Sequence, residues 1–213
     1  MRVTGAHLDP SANLYVKIAG ILREAGARVI LDLGCGEGAL GSAVAGGYMR
    51  LVSADSSGAM LAATPPPAVQ ADALALPVPD AVFDAVVAVN VLDHLPAPWL
   101  GLREAHRVLR AGGLFIAGTV SRRDSPELAS VWRPAGSPFD TEDAPRLVAS
   151  VFARVGTDPW DAPYITLPDQ GAVRDFLITR FVPPADAAAA AAHIETPLVV
   201  TKRGALVFGR KAD

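Results

Sequence analysis

Cysteine is almost absent from this sequence, since Cys35 is the only one in 213 residues. A disulfide within the chain is therefore excluded, as is a metal site built from several cysteines, and we expect no bound metal. An excess of basic charge is also absent: 19 Lys and Arg stand against 22 Asp and Glu, a net charge of −3. No Lys/Arg cluster exceeds a pair, apart from loosely grouped arginines at 103–110. We therefore expect no nucleic-acid partner.

Long apolar segments are missing as well. The longest run, Ala81–Leu92, is interrupted by Asp84 and Asn90 and is too short to cross a bilayer. The first ten residues, MRVTGAHLDP, contain no apolar core of the kind found in signal peptides. These two features predict a cytoplasmic protein without a membrane partner. With 51% hydrophobic and 19% charged residues, the chain is expected to fold around a large core, most simply as one domain over residues 1–213.

Short β-branched runs alternate with helical stretches, which is typical of a parallel α/β sheet. Strands are predicted at Val29–Leu33, Leu51–Ala54, Ala68–Ala71, Phe83–Val89, Leu114–Val120 and Ala205–Arg210. Helices are predicted at Glu37–Ala45, directly after Ser56 and Ser57, and at Pro98–Arg110, Thr141–Phe152, Asp169–Phe181 and Pro184–Ile194. Gly112 and Gly113 are expected to stop the helix that begins at Pro98, and Asp158–Tyr164 is predicted to form turns.

The stretch VILDLGCGEGALG, from Val29 to Gly41, contains two glycine patterns. Gly34, Gly36 and Gly38 form GxGxG directly after a buried strand. Gly36, Gly38 and Gly41 form GxGxxG, the spacing typical of dinucleotide sites. Glycines at such a turn let a ligand approach the main chain, and the following helix offers free amide groups. A tight turn without a ligand would also fit the loop taken alone.

Two aspartates at strand ends favour an adenosine-containing ligand. Asp55 ends the second strand about 20 residues after Gly34, where an acid that binds ribose is expected. Asp72 ends the third strand and could accept a hydrogen bond from an adenine amino group, or cap its own loop. The register favours GxGxG, because a dinucleotide site places the first glycine of GxGxxG immediately after the strand. Asp32, inside the first strand, would repel a pyrophosphate and tolerate a cationic sulfonium and amino-acid head.

Four segments together resemble the class I S-adenosylmethionine-dependent methyltransferases, in particular their ubiquinone-type, small-molecule branch. They are VILDLGCGEGAL, VSADSSGAML, VQADALALPVPDAVFDAVVAVNVLDHL and REAHRVLRAGGLFIAG. The resemblance covers roughly Leu14–Val120. It implies an α/β, Rossmann-like three-layer sandwich with helices on both faces. The sheet would be seven-stranded and mostly parallel, with an antiparallel last strand at Ala205–Arg210. S-adenosylmethionine would be the cofactor and S-adenosylhomocysteine the product.

The resemblance also implies roles for individual residues. The glycine loop would lie under the methionine part of the cofactor, Asp55 would accept both ribose hydroxyls, and Asp72 would meet the adenine amino group. Cys35 is expected to be a small filler, because no base stands at a recognisable spacing from it. The complete set of expected cofactor-binding residues is Tyr15, Asp32, Gly34, Cys35, Gly36, Gly38, Asp55, Ser56, Asp72, Ala73, Asn90 and Val91.

Methyl transfer needs a general base only if the acceptor must lose a proton. His94 is the best candidate, because it follows the fourth strand at the carboxyl edge of the sheet, although it could equally cap a loop. His7 and His193 have less support. The acceptor side is expected at about 1–13, 121–138 and 158–194, and the cofactor core at about 14–120. A small, partly apolar or aromatic acceptor is favoured by the aromatic residues available there, Trp132, Phe139, Trp160, Tyr164 and Phe176, of which Phe176 is expected in the core.

Three functions remain open from the sequence. The first is methyl transfer to oxygen, nitrogen or carbon of a small molecule. The second is an NAD(P)-dependent oxidoreductase that uses Gly36, Gly38 and Gly41. The third is a protein that binds S-adenosylmethionine without catalysis. A monomer or a homodimer is expected in each case.

Overall fold

The computed structural model describes residues 13–213, in which seven strands form one sheet of order β3-β2-β1-β4-β5-β7-β6. Strands β1 to β5 run parallel, and β7 runs antiparallel to both of its neighbours. The expected mostly parallel sheet with an antiparallel last strand is therefore confirmed. The strands are β1 (Val29–Leu33), β2 (Arg50–Asp55), β3 (Ala68–Gln70), β4 (Phe83–Val89), β5 (Leu109–Val120), β6 (Arg154–Leu167) and β7 (Leu198–Arg210).

Seven α-helices accompany these strands in the described part of the chain, and the first of them precedes β1. Asn13 caps the first helix by accepting from the Tyr15 and Val16 N–H groups, and Ser57 caps the third by accepting from Met60 N–H. No helix within residues 13–213 is long and apolar enough to cross a membrane. The helices are α1 (Leu14–Glu24), α2 (Ala39–Val44), α3 (Gly58–Leu61), α4 (Pro98–Val108), α5 (Ala144–Ala149), α6 (Gln170–Ile178) and α7 (Pro184–Ala191).

Both faces of the sheet are covered, because side chains alternate along a buried strand. Leu31 and Leu33 of β1 belong to a core cluster that also contains residues of α4 and α5. Ile30 belongs to a second cluster, on the other face, with residues of α1 and α2. A third cluster joins α6 and α7 to the ends of β6 and β7, and it contains Phe176, whose predicted core position is confirmed.

The prediction of turns at Asp158–Tyr164 is wrong, because this stretch lies within β6. Among residues 13–213, strand β6 is at the edge of the sheet and pairs only with β7. Pro159 and Pro163 lack an N–H group, and an edge strand tolerates this because one of its sides forms no ladder. The register shifts between Pro163 and Ile165.

The predicted end of α4 is also wrong. The helix stops at Val108, and Gly112 and Gly113 lie inside β5, which begins at Leu109. Buried Leu109 pairs with Phe83 of β4, and a register shift follows before Leu114 pairs with Ala85. Tertiary pairing of the apolar Leu109 thus overrides the helix-stopping pattern. The predicted helices at 141–152, 169–181 and 184–194 are each shorter in the structure.

Phe181 closes α6 in a conformation that normally requires glycine. Its φ is +63°, its N–H donates to Ile178 O, and the next N–H, of Val182, donates to Leu177 O. This is the Schellman pattern, in which the left-handed position is most often glycine. The side chain is 97% exposed, so the ring gains almost nothing from burial.

Replacing Phe181 by glycine should therefore stabilise the protein by about 0.5–1 kcal/mol, because the left-handed backbone is strained by a Cβ atom. Urea denaturation of the wild type and of Phe181→Gly measures the change. Phe181→Ala is the matched control, since it removes the same ring but keeps the Cβ atom. Equal stability of the glycine and alanine variants would contradict the backbone argument.

Candidate functional site

A cleft of about 260 Å³ opens at the carboxyl ends of β1 to β4. Strands β2 and β4 lie on opposite sides of β1, so the strand order reverses at this point. Open α/β sheets bind ligands at such a switch point. Eight residues of the expected site line the cleft: Gly34, Asp55, Ser56, Asp72, Ala73, Asn90, Val91 and His94.

Gly34 joins three strands at the floor of this cleft. Its N–H and that of Cys35 donate to Ala54 O of β2, at 2.7 and 3.0 Å. Its φ is +66°, and a Cβ atom placed on it would overlap the Cγ2 atom of Val91, which follows β4. Gly34 is therefore needed both for its backbone conformation and for close packing.

Asp55 ties the glycine loop to the end of β2. Its Oδ2 accepts from Gly36 N–H at 2.9 Å, and its Oδ1 accepts from Ser57 N–H at 2.8 Å. A carboxylate has about four lone-pair sites, so each oxygen can accept another hydrogen bond from a ligand in the cleft. Asp72 is exposed, and its Oδ1 accepts from Leu74 N–H at 2.9 Å.

Asp32 lies beneath this loop and not in the cleft lining. It is 3% exposed, and its Oδ2 has no hydrogen-bond partner among the described residues. Burial, with a further contribution from the charge of Asp55, raises the pKa of Asp32 to about 7. A buried carboxylate oxygen without a donor fits a cationic ligand head, which would supply the missing charge or hydrogen bond.

The remaining expected residues lie around the loop, outside the cleft lining. Cys35 is buried, and burial together with Asp32 and Asp55 raises the pKa of its thiol to about 11. The thiol therefore stays protonated near neutral pH, which agrees with a filler. Gly36 accepts from the Thr64 hydroxyl through its carbonyl at 3.1 Å. Gly38 lines a separate groove beside the prolines at 65–67, and Tyr15 packs from α1 against the second core cluster.

His94 lies at the rim of the cleft with its side chain 78% exposed, and its Nε2 is 3.7 Å from Asp93 Oδ2. Sequence reasoning missed Asp93 itself. Its Oδ1 is buried without a hydrogen-bond partner among residues 13–213, and burial raises its pKa. Its position next to His94, at a strand end, was the available sequence signal. His7 lies outside the described residues, and His193 is exposed after α7.

Four aromatic residues of the expected acceptor side differ in exposure. Phe139 and Tyr164 are buried, whereas Trp132 and Trp160 are half-buried. No group of three His, Cys, Asp or Glu side chains in the described ranges is arranged to hold a metal ion.

Gly34→Ala should destabilise the protein by about 1–3 kcal/mol, since it adds both backbone strain and a clash with Val91. Gly46→Ala is the matched control, because Gly46 has φ +77° but open space around a Cβ atom. Thermal or urea denaturation should therefore show a smaller loss for the control.

The double variant Gly34→Ala, Val91→Ala separates the two causes. Removal of the Val91 methyl groups should recover the part of the loss that comes from the clash. If the double variant is simply the sum of the two single losses, the packing argument fails.

Comparison with known proteins places this geometry in a family. Residues 31–117 match the family described as methyltransferase domain. The chain is 32% identical over 166 residues to 27-O-demethylrifamycin SV methyltransferase of Amycolatopsis mediterranei, an alignment that covers 72% of this chain and 58% of the relative. It is 33% identical over 105 residues to an uncharacterized methyltransferase of Mycobacterium avium, covering 46% and 42%. The chain thus spans roughly half the length of these relatives.

Solved structures share the fold at low sequence identity. A SAM-dependent methyltransferase from Archaeoglobus fulgidus superposes with a TM-score of 0.58 at 15% identity, covering 92% of this chain and 94% of that one. The [4+2]-cyclase SpnF superposes with a TM-score of 0.64 at 21% identity, covering 98% and 85%. With the glycine loop, the strand-end aspartates and the sheet order in place, the chain belongs to the class I S-adenosylmethionine-dependent methyltransferases.

Proposed function

We propose that this protein transfers a methyl group from S-adenosylmethionine to a small-molecule acceptor bound at the carboxyl edge of the sheet. The observation that carries the proposal is the cleft at the switch point, where Gly34, Asp55, Asp72 and Asn90 meet. The relative from Amycolatopsis mediterranei is named for methylation at an oxygen, which favours a hydroxyl as the acceptor group.

The residues of the cleft fit the parts of this cofactor. Asp55, with acceptor capacity left on both oxygens, would bind the ribose hydroxyls, and Asp72 would accept from the adenine amino group. The main chain at Gly34, together with Asn90 and Val91, would flank the methionine part. The buried Asp32 would offset the positive charge of the ligand head.

When bound, the cofactor supplies a methyl group already activated by a positively charged sulfur. The protein then has to hold the acceptor in line with that group and keep water out. Such positioning can lower a barrier by about 7–11 kcal/mol. The division into a cofactor core at about 14–120 and an acceptor side at about 1–13, 121–138 and 158–194 is part of this proposal, as are a single domain and a monomer or homodimer. A cytoplasmic location stays a prediction of the sequence.

Two alternatives have less support. The GxGxxG pattern would need Gly36, Gly38 and Gly41 at the ligand, yet Gly38 and Gly41 line the separate groove beside α2. The relatives and neighbours described above give the oxidoreductase no support. For the non-catalytic alternative, the structural neighbour SpnF shows only that this fold is also found in a protein that is named as a cyclase and not as a methyltransferase.

Isothermal titration calorimetry tests the cofactor directly. The wild type should bind S-adenosylmethionine and S-adenosylhomocysteine but not NADH. Asp55→Ala should weaken both by at least about tenfold, since hydrogen bonds to a charged group contribute about 1.5–3 kcal/mol. Asp80→Ala is the matched control: Asp80 is an exposed aspartate in the loop before β4, outside the cleft.

The outcomes of this titration discriminate the alternatives. Binding of NADH alone would overturn the proposal and support the oxidoreductase. Binding of S-adenosylmethionine without transfer to any member of a broad panel of hydroxyl, amine and carbon acceptors would support the non-catalytic alternative.

Asp32 should make stability depend on pH in an identifiable way. Unfolded Asp32 loses its proton near its ordinary pKa of 3.8, whereas the folded protein holds it until about pH 7. Folding is therefore penalised increasingly as the pH rises between these values, and the penalty is complete above them. Asp32→Asn should remove it, so the variant should gain about 1–4 kcal/mol relative to the wild type between about pH 4 and pH 8.

Urea denaturation of both proteins across this range measures the difference. Parallel stability curves for the wild type and Asp32→Asn would show that the buried carboxyl group does not titrate as argued.

A further inference from the structure

Lys202 is a buried ammonium group that lacks most of its hydrogen-bond partners. It lies in β7 and is 6% exposed. In the described part of the chain the one hydrogen-bond partner of its ammonium group is Asp124 Oδ2, at 3.5 Å. Asp124 is also used by Arg203 N–H at 2.8 Å and by the Ser125 hydroxyl at 3.2 Å. Since an ammonium group has three donors, Lys202 has donors left for a ligand.

Asp93 is the reverse case, a hydrogen-bond acceptor that lacks a donor. Its Oδ1 is buried without a donor among the described residues. It stands in a short 3-10 turn, Leu92–His94, between the cleft-lining residues Val91 and His94. An unsatisfied buried acceptor beside the cofactor cleft is expensive to maintain unless a ligand uses it.

The sheet brings these two residues to the same edge. Strand β5 lies between β4 and β7. Just past β4, Asn90 N–H donates to Gly118 O of β5, and Gly204 of β7 pairs with Val120 at the end of β5. Asp93 and Lys202 each lie just beyond these points, and their charges act on one another.

We propose that Asp93 and Lys202 form the acceptor subsite, that this subsite takes the hydroxyl group of an aromatic acceptor, and that Asp93 removes the hydroxyl proton. The proposal rests on the proposed methyl transfer. It replaces His94, which is exposed at the rim, by its neighbour.

The chemistry of the pair selects the acceptor group. A carboxylate ligand would be repelled by Asp93, and an ammonium ligand by Lys202. A hydroxyl both donates and accepts, so it satisfies both residues at once. Trp132, which is half-buried and packs against the third core cluster, supplies aromatic surface on the acceptor side, which suits a phenol.

The transfer step balances with these residues. The hydroxyl proton passes to the Asp93 carboxylate, and the electrons of the O–H bond stay on oxygen. Oxygen forms the new bond to the methyl carbon as the carbon–sulfur bond breaks, and that electron pair remains on sulfur. Lys202 donates a hydrogen bond to the oxygen throughout and keeps its proton.

The electrostatic surroundings agree with these roles. Burial raises the pKa of Asp93, although His94 and Lys202 oppose the shift, so its carboxylate is a stronger base than an exposed one. Burial and the charge of Arg180 lower the pKa of Lys202, while Asp124 and Asp93 oppose the shift. Arg180 itself lies over the Phe176 ring, 3.4 Å from its centroid.

The binding of 4-nitrophenol tests the subsite without turnover, because its phenolate absorbs visible light. The titration is carried out with S-adenosylhomocysteine present. At a pH at which the free probe is mostly neutral, the wild type should bind it with a phenolate spectrum. Lys202→Met should weaken binding at least tenfold and restore the neutral spectrum. Lys17→Met is the matched control, because Lys17 is an exposed lysine paired with Asp158.

Asp93→Asn provides the second arm. In the wild type the proton stays on Asp93, so calorimetry in buffers of different ionisation enthalpy should show no proton release when the probe binds. In Asp93→Asn any phenolate that binds must release its proton to the buffer. Asp80→Asn, a matched change at an exposed aspartate outside the cleft, should behave like the wild type.

The outcomes separate failure of the subsite from failure of the proposed function. Retained S-adenosylhomocysteine binding shows that a variant is folded, and Lys202→Gln, which keeps a donor for Asp124, repeats the test if Lys202→Met does not fold. Wild-type behaviour of Lys202→Met or of Lys202→Gln, or no binding of the probe to a wild type that binds the cofactor, would overturn the subsite alone. A wild type that binds neither S-adenosylmethionine nor its product would overturn both.

Discussion

The close approach of the Gly34 main chain to two neighbouring strands is the constraint on which the rest of the site depends. Its N–H binds β2 through Ala54 O, and Val91 after β4 occupies the space that a Cβ atom would need. Asp55 then fixes the next turn of the loop through Gly36 N–H. Together these contacts hold the ends of β1, β2 and β4 around one cleft, and so they set where a ligand can bind.

Arg107, near the amino end of β4, differs in its hydrogen bonding from three charged groups near the carboxyl ends of the strands. On the side of the loop before β4, Arg107 is fully engaged by Glu104, Asp80 and two carbonyl groups. At the carboxyl edge, Asp32 and Asp93 each keep a buried oxygen without a donor in the described ranges, and Lys202 has one long contact. Buried polar groups with missing hydrogen bonds reduce the stability of the folded protein. Three such groups within residues 13–213 lie at this end of the sheet, where a polar, charged ligand would supply the missing hydrogen bonds.

The fold alone does not choose the reaction. The neighbours that superpose on this chain include both a methyltransferase and a cyclase. The difference must therefore lie in the side chains around the acceptor. In the acceptor subsite that we propose, those come from the turn after β4, from the beginning of β7 and from the third core cluster with α6 and α7. These segments lie mostly outside the region that matches the family, residues 31–117.

The sequence by itself determined the part of this protein that we propose holds the cofactor. The apolar runs Val29–Leu33 and Phe83–Val89 are strands with the predicted bounds. The glycines and aspartates at the strand ends are a local pattern that predicts a ligand site at this position. Only the tertiary structure decided the part that we propose holds the acceptor. The prolines of Asp158–Tyr164 indicate turns when the sequence is taken alone. In the structure this stretch is an edge strand that pairs with β7, and an edge strand tolerates proline. Asp93 and Lys202 are distant along the chain and carry no pattern of their own. They lie at the same end of the sheet because β5 pairs with both β4 and β7, which is a property of the sheet and not of any local segment.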